Sequence, residues 1–462
     1  MTLLEELLKN ADSMSSFSTN RLSNGTVLKT PTGEDVTVIS FINEGGQGDV
    51  YKVRYKNDEY ALKWYNKDIK DVIGGEQYNI ISALCPLDAP SDKFIWPLTT
   101  VARNTNFDKH DMFGYVMNLL PNHYHEMSNF LLGDDKAGRR RFKSYHAWVT
   151  AGLNIVAAIR ELHLIGLSYK DLQPKNFAFD EENGDIRVID NDNVSAQGSS
   201  VLGTIPYMAP EILRSNGKIA PNTETDFYSL AIVLFQLFYN DHPMDGKRLS
   251  AYHVINPDVE KELYGKYPVF SEDPMDSSNR PCKAFSPNVL NRWDLLFTEL
   301  HDSFIKSFTA GIEHPEKRLS ENSWMIVLSG LRDFIVKVNG REYFIDFESE
   351  PKYIPKFCLK LDVYANKAYQ NSVAIHPSTV VFENSITGVQ LNYNKKYAVI
   401  GVSKETKMPM IMNTSENTWK ITGPGSDKEF LLKPSERISI RPGMKFEFSD
   451  RLTGILVNPR QK

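Results

Sequence analysis

The chain has 462 residues, enough for two or three domains that each bury a core. Hydrophobic residues make up 41% and charged residues 24%, and the formal net charge of -5 at pH 7 argues against a general binder of nucleic acid or anionic membrane. Cys85, Cys282 and Cys358 are too few and too scattered for a disulfide framework or a zinc cluster, which points to a reducing cytoplasm, and no stretch approaches the roughly 20 apolar residues of a membrane helix.

In chain order, MTLLEELLKN lacks the basic flank and apolar run of a signal peptide, and Leu3, Leu4, Leu7 and Leu8 fall on one stripe of a short helix suited to docking. Residues 11–24 are polar and Ser-rich, a linker. From about Val36, VTVISFI, DVYKVRY and EYALKWY alternate as strands joined by turns, with Gly45, Gly46 and Gly48 at one of them, and GYVMNLL (114–120) is a further strand. Beyond Pro121 the period lengthens towards 3.6, predicting helices near 143–164, 223–239, 290–309 and 321–338. Past Gly340 short β-branched and aromatic runs take over: FCLKLDVYA, STVVFEN, KYAVIGV, PMIMN, TWKIT, EFLL, RISIR, KFEF and GILVN. Their turn spacing is that of a β-sandwich. The plan is α+β: an N-terminal helix and linker (1–35), a unit with a small antiparallel-sheet lobe and a larger helical lobe (36–335), and a β-sandwich-like module (340–462).

Several residues carry chemistry. Glycines in a hairpin let backbone N–H groups approach phosphate oxygens, because no side chains intervene. Lys63, on the next strand, is a point charge able to bridge two phosphates. In LSYKDLQPKNFAFD, Asp171 and Asn176 share a loop after a helix, and in IRVIDNDNV Asp190 ends an apolar β run. One acid can accept a hydroxyl proton, while the amide and the other acid are hard oxygen ligands suited to Mg²⁺.

This ordered set resembles the protein-kinase fold from about Val36 to Leu331. The resemblance implies a bilobal enzyme using ATP and Mg²⁺, with Mn²⁺ an alternative, and a protein substrate. It implies a phosphate-covering loop of Asn43, Gly45, Gly46, Gly48 and Val50. Lys63 would hold the α- and β-phosphates with Glu76 as its carboxylate partner. Met117 would lie behind the adenine, and Asn118 to Leu120 would form the hinge. Asp171 would be the base, Asn176 and Asp190 the magnesium ligands, and Asp226 the brace of the catalytic loop. In YMAPEI, Glu211 closes the activation segment and would pair with Arg318 of PEKRLS.

Four positions depart from the family pattern. Asn43 replaces the first loop glycine, and Asn tolerates positive φ better than other residues. Tyr169-Lys170-Asp171 replaces His-Arg-Asp, so Lys170 offers a charge without arginine's fork. Asp190-Asn191-Asp192 replaces Asp-Phe-Gly. Gln173 stands where Ser/Thr kinases usually place a lysine, and Lys175, placed as in tyrosine kinases, can reach the γ-phosphate instead. Ser/Thr against Tyr preference therefore stays open.

GGQGDVYKVRY, EYALKWY, SDKFIWPL, DNDNV, NTSENTWKIT and RPGMKFEF are similar to phrases of a bacterial group of eukaryotic-like kinases. That group implies two partners, a von Willebrand A-type protein and a metal-dependent protein phosphatase, with neither nucleic acid nor membrane, and a Ser/Thr preference. Two other readings stand beside an active kinase: a nucleotide-binding pseudokinase scaffold, and a small-molecule phosphotransferase, suggested by the pair Asp190 and Asp192. The sequence from Asn193 to Gly203 carries Ser195, Ser199 and Ser200; phosphorylation at Ser199 or Ser200 would be received by Lys170. The β module is read as an interaction or oligomerisation unit, with a forkhead-associated-like phosphopeptide reader as the other possibility. Trp419 is an interface anchor or a core residue.

Overall fold

In the N-terminal lobe, alternating apolar residues pair strand to strand as the period predicts. The computed structural model describes residues 21–65, 76–105, 112–131, 141–196, 203–215, 218–347, 354–426 and 428–460. The N-terminal leucine stripe, Ser199 and Ser200 lie outside them. Strands β1 (Val27–Lys29), β2 (Asp35–Glu44), β3 (Gly48–Tyr55) and β4 (Asp58–Tyr65) run first. Helix α1 (Glu76–Leu84), β5 (Pro97–Ala102) and β6 (Phe113–Met117) follow. The order β1-β2-β3-β4-β6-β5 closes into a barrel through the pairing of Lys29 with Ala102. β1 lies within residues 1–35, which the sequence assigned to the N-terminal helix and linker, so the barrel begins earlier than the expected boundary at 36. Lys56 and Asn57, both at positive φ, make the two-residue turn between β3 and β4, which matches the twist of a hairpin. Leu28, Val36, Val38, Val53, Leu62, Trp64, Val101 and Val116 fill the interior.

The helical lobe is built on α2 (Tyr145–Leu164), capped by the Ser144 side chain accepting from Ala147 N. A small sheet of β7 (His125–Glu126), β8 (Phe177–Phe179) and β9 (Ile186–Val188) lies beside it. Helix α3 (Thr223–Tyr239) starts on a reciprocal cap between Asn222 and Thr225 and is buried along most of its length. The helix predicted over 290–309 is broken. A short helix (Pro287–Arg292) and a 3-10 turn (Trp293–Leu295) precede α4 (Thr298–Phe308). The extended backbone between them carries Phe297, whose ring meets Phe334 and Phe344. Helix α5 (Glu321–Asp333) stops earlier than the predicted 338, because β-branched Ile335, Val336 and Val338 enter strand β10 (Ile335–Val338). β10 pairs with β11 (Arg341–Phe344) across Asn339-Gly340, both at positive φ, so Gly340 is a hairpin turn.

The C-terminal region contains two sheets. Strands β12 (Leu359–Ala365), β13 (Ala368–Ile375), β14 (Val380–Phe382), β15 (Lys396–Val402) and β16 (Pro409–Asn413) come first. Then come β17 (Trp419–Thr422), β18 (Glu429–Leu432), β19 (Arg437–Ser439), β20 (Lys445–Ser449) and β21 (Leu452–Val457). One sheet has the order β13-β12-β21-β20-β17-β18 and the other β14-β15-β16-β19. They share a core that includes Leu361, Val373, Ile400, Ile411, Phe446 and Trp419. Trp419 is fully buried and stacks on Tyr397 with ring centroids 5.3 Å apart, so it is a core residue. The region also contacts the helical lobe. Tyr393 Oη donates to Asn154 Oδ1 on α2 at 2.6 Å, Asn384 Nδ2 donates to Ser329 Oγ on α5 at 2.8 Å, and Arg332 donates to the Tyr393 carbonyl. Among the described residues no helix is long and apolar enough to cross a membrane.

Candidate active site

The glycine hairpin is shaped by the approach of two strands. Gly45 N donates to Gly48 O at 2.9 Å, closing the turn between β2 and β3. A Cβ on Gly48 would lie 2.3 Å from the Trp64 carbonyl oxygen, so only glycine fits there. Asn43 stays in the β2 ladder opposite Val50, with its side chain accepting from Glu44 N, and needs no positive φ. Val50 in turn pairs with Lys63, which faces Tyr115 across β4 and β6. Met117 ends β6, followed by Asn118 to Leu120 outside any strand.

Lys63 is 7% exposed and its ammonium is held by three groups. It pairs with Asp190, donates to Asp192 Oδ2 at 2.7 Å and donates to Gln47 Oε1 at 3.1 Å. Burial alone would depress the lysine pKa, but the two carboxylates outweigh it and raise it. Burial likewise favours the neutral acid at Asp190, yet Lys63 holds that carboxyl below the usual range. At Asp192 burial and the Asp190 charge win, and its pKa is raised. The expected partner Glu76 does not meet Lys63. Glu76 is the first residue of α1, and the neighbouring Gln77 is the one that turns inward, donating to the Asp192 carbonyl.

The loop that carries Asp171 is fixed by α3. Asp226 accepts from Tyr169 N at 2.6 Å and Lys170 N at 2.9 Å, the bracing expected of it. Tyr169 Oη donates to the carbonyls of Ile189 (2.7 Å) and Asp190 (3.0 Å), tying this loop to the second acid. Lys170 and Asp190 both take positive φ, a backbone conformation uncommon for non-glycine residues. Asp171 Oδ1 accepts from Thr204 N at 2.9 Å and Oγ1 at 3.1 Å, and its Oδ2 accepts from Gln173 Nε2 at 2.7 Å. Burial pushes the Asp171 carboxyl up against these hydrogen bonds. Asn176 Nδ2 donates to the Asp171 carbonyl at 2.8 Å, while Ile189 N donates to the Asn176 carbonyl at 2.9 Å. Lys175 is exposed and its charge acts on both Asp171 and Asp190. Lys170 Nζ donates to the Ala196 carbonyl at 2.8 Å and to Ser195 Oγ, so it already holds the start of the activation segment.

The donor set suits a magnesium ion. Asn176 Oδ1 is buried without a hydrogen-bond partner among the described residues, a hard oxygen ready for a cation, and Asp190 supplies a carboxylate. No group of three or more His, Cys, Asp or Glu among the described residues is arranged to hold a metal ion, so such an ion would depend on the amide, Asp190 and phosphate oxygens.

Residues that the sequence did not single out complete the site: Gln47, Tyr65, Gln77, His163 and Glu321. His163, on α2, contacts Glu321 of α5 through Nδ1 and Asp226 through Nε2 at 3.0 Å. Burial alone would lower its pKa, but hydrogen bonds with Asp226 and Glu321 raise it from 6.5 to about 9. The folded-state pKa thus exceeds the unfolded one, so the stabilisation is fully present below pH 6.5 and lost as pH rises through about 9. The stability advantage of wild type over His163→Gln is expected to be on the order of 3 kcal/mol at low pH and to shrink towards alkaline pH. Denaturation from about pH 6 to about pH 10 checks this, and a pH-independent difference would refute the charged histidine.

A protein kinase domain model matches residues 36–294, more than half of the chain, which therefore belongs to the protein kinase family. The dual specificity protein kinase Ttk of Danio rerio is 26% identical over 246 residues, 49% of this chain and 23% of its own length. Its Mus musculus counterpart is 26% identical over 55% of this chain and 30% of its own length. The RAC family serine/threonine-protein kinase homolog of Dictyostelium discoideum is 27% identical over 50% of this chain and 52% of its own length. The chain spans about half or less of the length of these relatives.

Proposed function

We propose that this protein transfers the γ-phosphate of ATP to hydroxyl side chains of proteins, with Ser and Thr as the principal acceptors. The observation that carries the reading is the convergence of Lys63 with three residues from a distant part of the sequence. Asp171 and Asn176 are hydrogen-bonded in one loop, Asn176 joins Ile189 through the backbone, and the adjacent Asp190 pairs with Lys63. In this reading Asp171 accepts the proton of the substrate hydroxyl, aimed by Thr204 and Gln173 on its two oxygens. Lys63 grips the α- and β-phosphates beneath the hairpin of Asn43, Gly45, Gly46, Gly48 and Val50, and Lys175 reaches the γ-phosphate. Asn176 and Asp190 hold Mg²⁺, which when bound would neutralise phosphate charge. Met117, Asn118 and Leu120 line the adenine side.

We further assign the protein to the bacterial eukaryotic-like kinases associated with von Willebrand A-type proteins and metal-dependent phosphatases, acting in the cytoplasm. The quoted sequence phrases and three free cysteines support this. The catalytic unit is taken as 36–335, with a sandwich-like interaction module from 340 to 462. Serine/threonine and dual-specificity kinases both occur among the relatives, so the acceptor is tested directly. Purified protein with labelled ATP and Mg²⁺ is expected to yield phosphoserine and phosphothreonine on a general protein substrate, and no transfer when Mg²⁺ is chelated. Nucleotide binding without transfer would favour a scaffold instead, and label confined to tyrosine would overturn the acceptor assignment.

A further inference from the structure

The lysine of the glycine-hairpin lobe lacks the carboxylate that the sequence led one to expect on α1. The α1 residue turned towards the site is Gln77, 3% exposed, and an amide cannot neutralise an ammonium. A buried charge needs a charged partner, since an unpaired one is strongly disfavoured. That partner sits two residues beyond Asp190, where the family pattern has glycine. Asp192 is 0% exposed, with Oδ2 on Lys63 Nζ at 2.7 Å. Tyr65 Oη donates to the same oxygen, and Gln77 Nε2 donates to the Asp192 backbone carbonyl. The carboxylate is thus held by two residues of β4, and the backbone of the same residue by α1.

We propose that Asp192 is the positioning carboxylate for Lys63, a role that Glu76 does not fill, with Tyr65 and Gln77 fixing its place; this rests on the kinase reading. Two carboxylates on one lysine are needed because their duties differ. Asp190 is shared between Lys63 and the metal site, so a bound cation would compete with the lysine for its charge. Asp192 keeps the lysine aimed at the phosphates throughout. Lysine and two aspartates together carry one net negative charge, which suits a site that admits a divalent cation. The family's loop glycine has been exchanged for an acid, and the helix acid for an amide.

The test uses the full chain, with calorimetric titration of ADP with and without Mg²⁺ and steady-state kinetics in ATP. Asp192→Asn keeps an acceptor for Tyr65 and the backbone carbonyl for Gln77 but removes the charge. It is expected to raise the ADP dissociation constant and the ATP KM by roughly 10-fold or more, the worth of a charge-assisted hydrogen bond, with a smaller change in kcat. Tyr65→Phe leaves the carboxylate but loosens it, and a smaller rise in the same direction is expected. Glu76→Gln is expected to raise both constants less than Asp192→Asn does. Asp192→Asn binding ADP within about twofold of wild type overturns the proposal. So does a larger loss from Glu76→Gln than from Asp192→Asn. Should Asp192→Asn not fold, an unchanged ADP affinity in Tyr65→Phe overturns it equally. A wild type that binds no nucleotide would instead sink the kinase reading, and this proposal with it.

Discussion

Asp171→Asn is expected to lower kcat by roughly 10²–10⁴ while nucleotide affinity stays near wild type, the usual share of a positioned general base. The geometry explains the separation of the two effects. Asp171 is buried, and the described contacts of its carboxylate are with Thr204 and Gln173. The residues assigned to phosphate and metal, Lys63 and Asp190, are held together by their own ion pair. Asparagine keeps the size and the acceptor for Thr204, so the loop retains its brace on Asp226. What disappears is the ability to take a proton. Single-turnover transfer measured beside ADP titration reads both quantities, and undiminished turnover would remove Asp171 from the chemistry.

Glu211→Ala is expected to destabilise the helical lobe by about 3–5 kcal/mol. Arg318 reaches Glu211 with a planar fork, Nη1 to Oε1 and Nη2 to Oε2, both at 2.8 Å. Its Nε also donates to the Gly311 carbonyl at 2.8 Å, and its Nη1 to the Glu224 carbonyl at 3.0 Å. The arginine side chain is 1% exposed, so removing the glutamate strands a charge that water cannot reach. The short helix that carries Glu211 (Pro210–Arg214) begins soon after Thr204, which donates to Asp171. Activity is therefore expected to fall with stability. Urea unfolding measures the first and phosphotransfer the second, and unchanged unfolding with lost activity would assign Glu211 to substrate contact.

Much of this arrangement was written in local pattern. Alternation marked β2, β3 and β4, and the capped, apolar run of α3 declared itself as a buried helix. The bracing role of Asp226 and the pairing of Arg318 with Glu211 followed from position in an ordered motif set. What stayed hidden was short or depended on helical phase. β1 is only three residues, too brief for a period to register, and β13 (AYQNSVAI) begins with polar residues. Glu76 was favoured for its charge, but the phase of α1 places Gln77 inside. Asp192 read only as the second acid of a pair with Asp190 that hinted at a small-molecule phosphotransferase, because its lysine lies 129 residues away. His163 read as an ordinary helix residue until α5 brought Glu321 against it.

The clasp between Tyr393 and Asn154 also has a meaning in time. Their hydrogen bond joins residues 239 positions apart. Synthesis at roughly 5–20 residues per second leaves Asn154 without this partner for on the order of 10–50 s after it is made. Throughout that interval the middle of α2 carries an amide oxygen whose final donor does not yet exist, and water must serve it until Tyr393 arrives. Arg332 waits likewise for the Tyr393 carbonyl, 61 residues downstream. The helical lobe therefore leaves the ribosome tunnel unfinished, and its last polar bonds close only when the β strands behind it have been translated and have folded back. Such long-range closures slow folding and lengthen the exposure of apolar surface to chaperones. The contacts that join the helical lobe to the C-terminal region are thus the last of its polar bonds that can form.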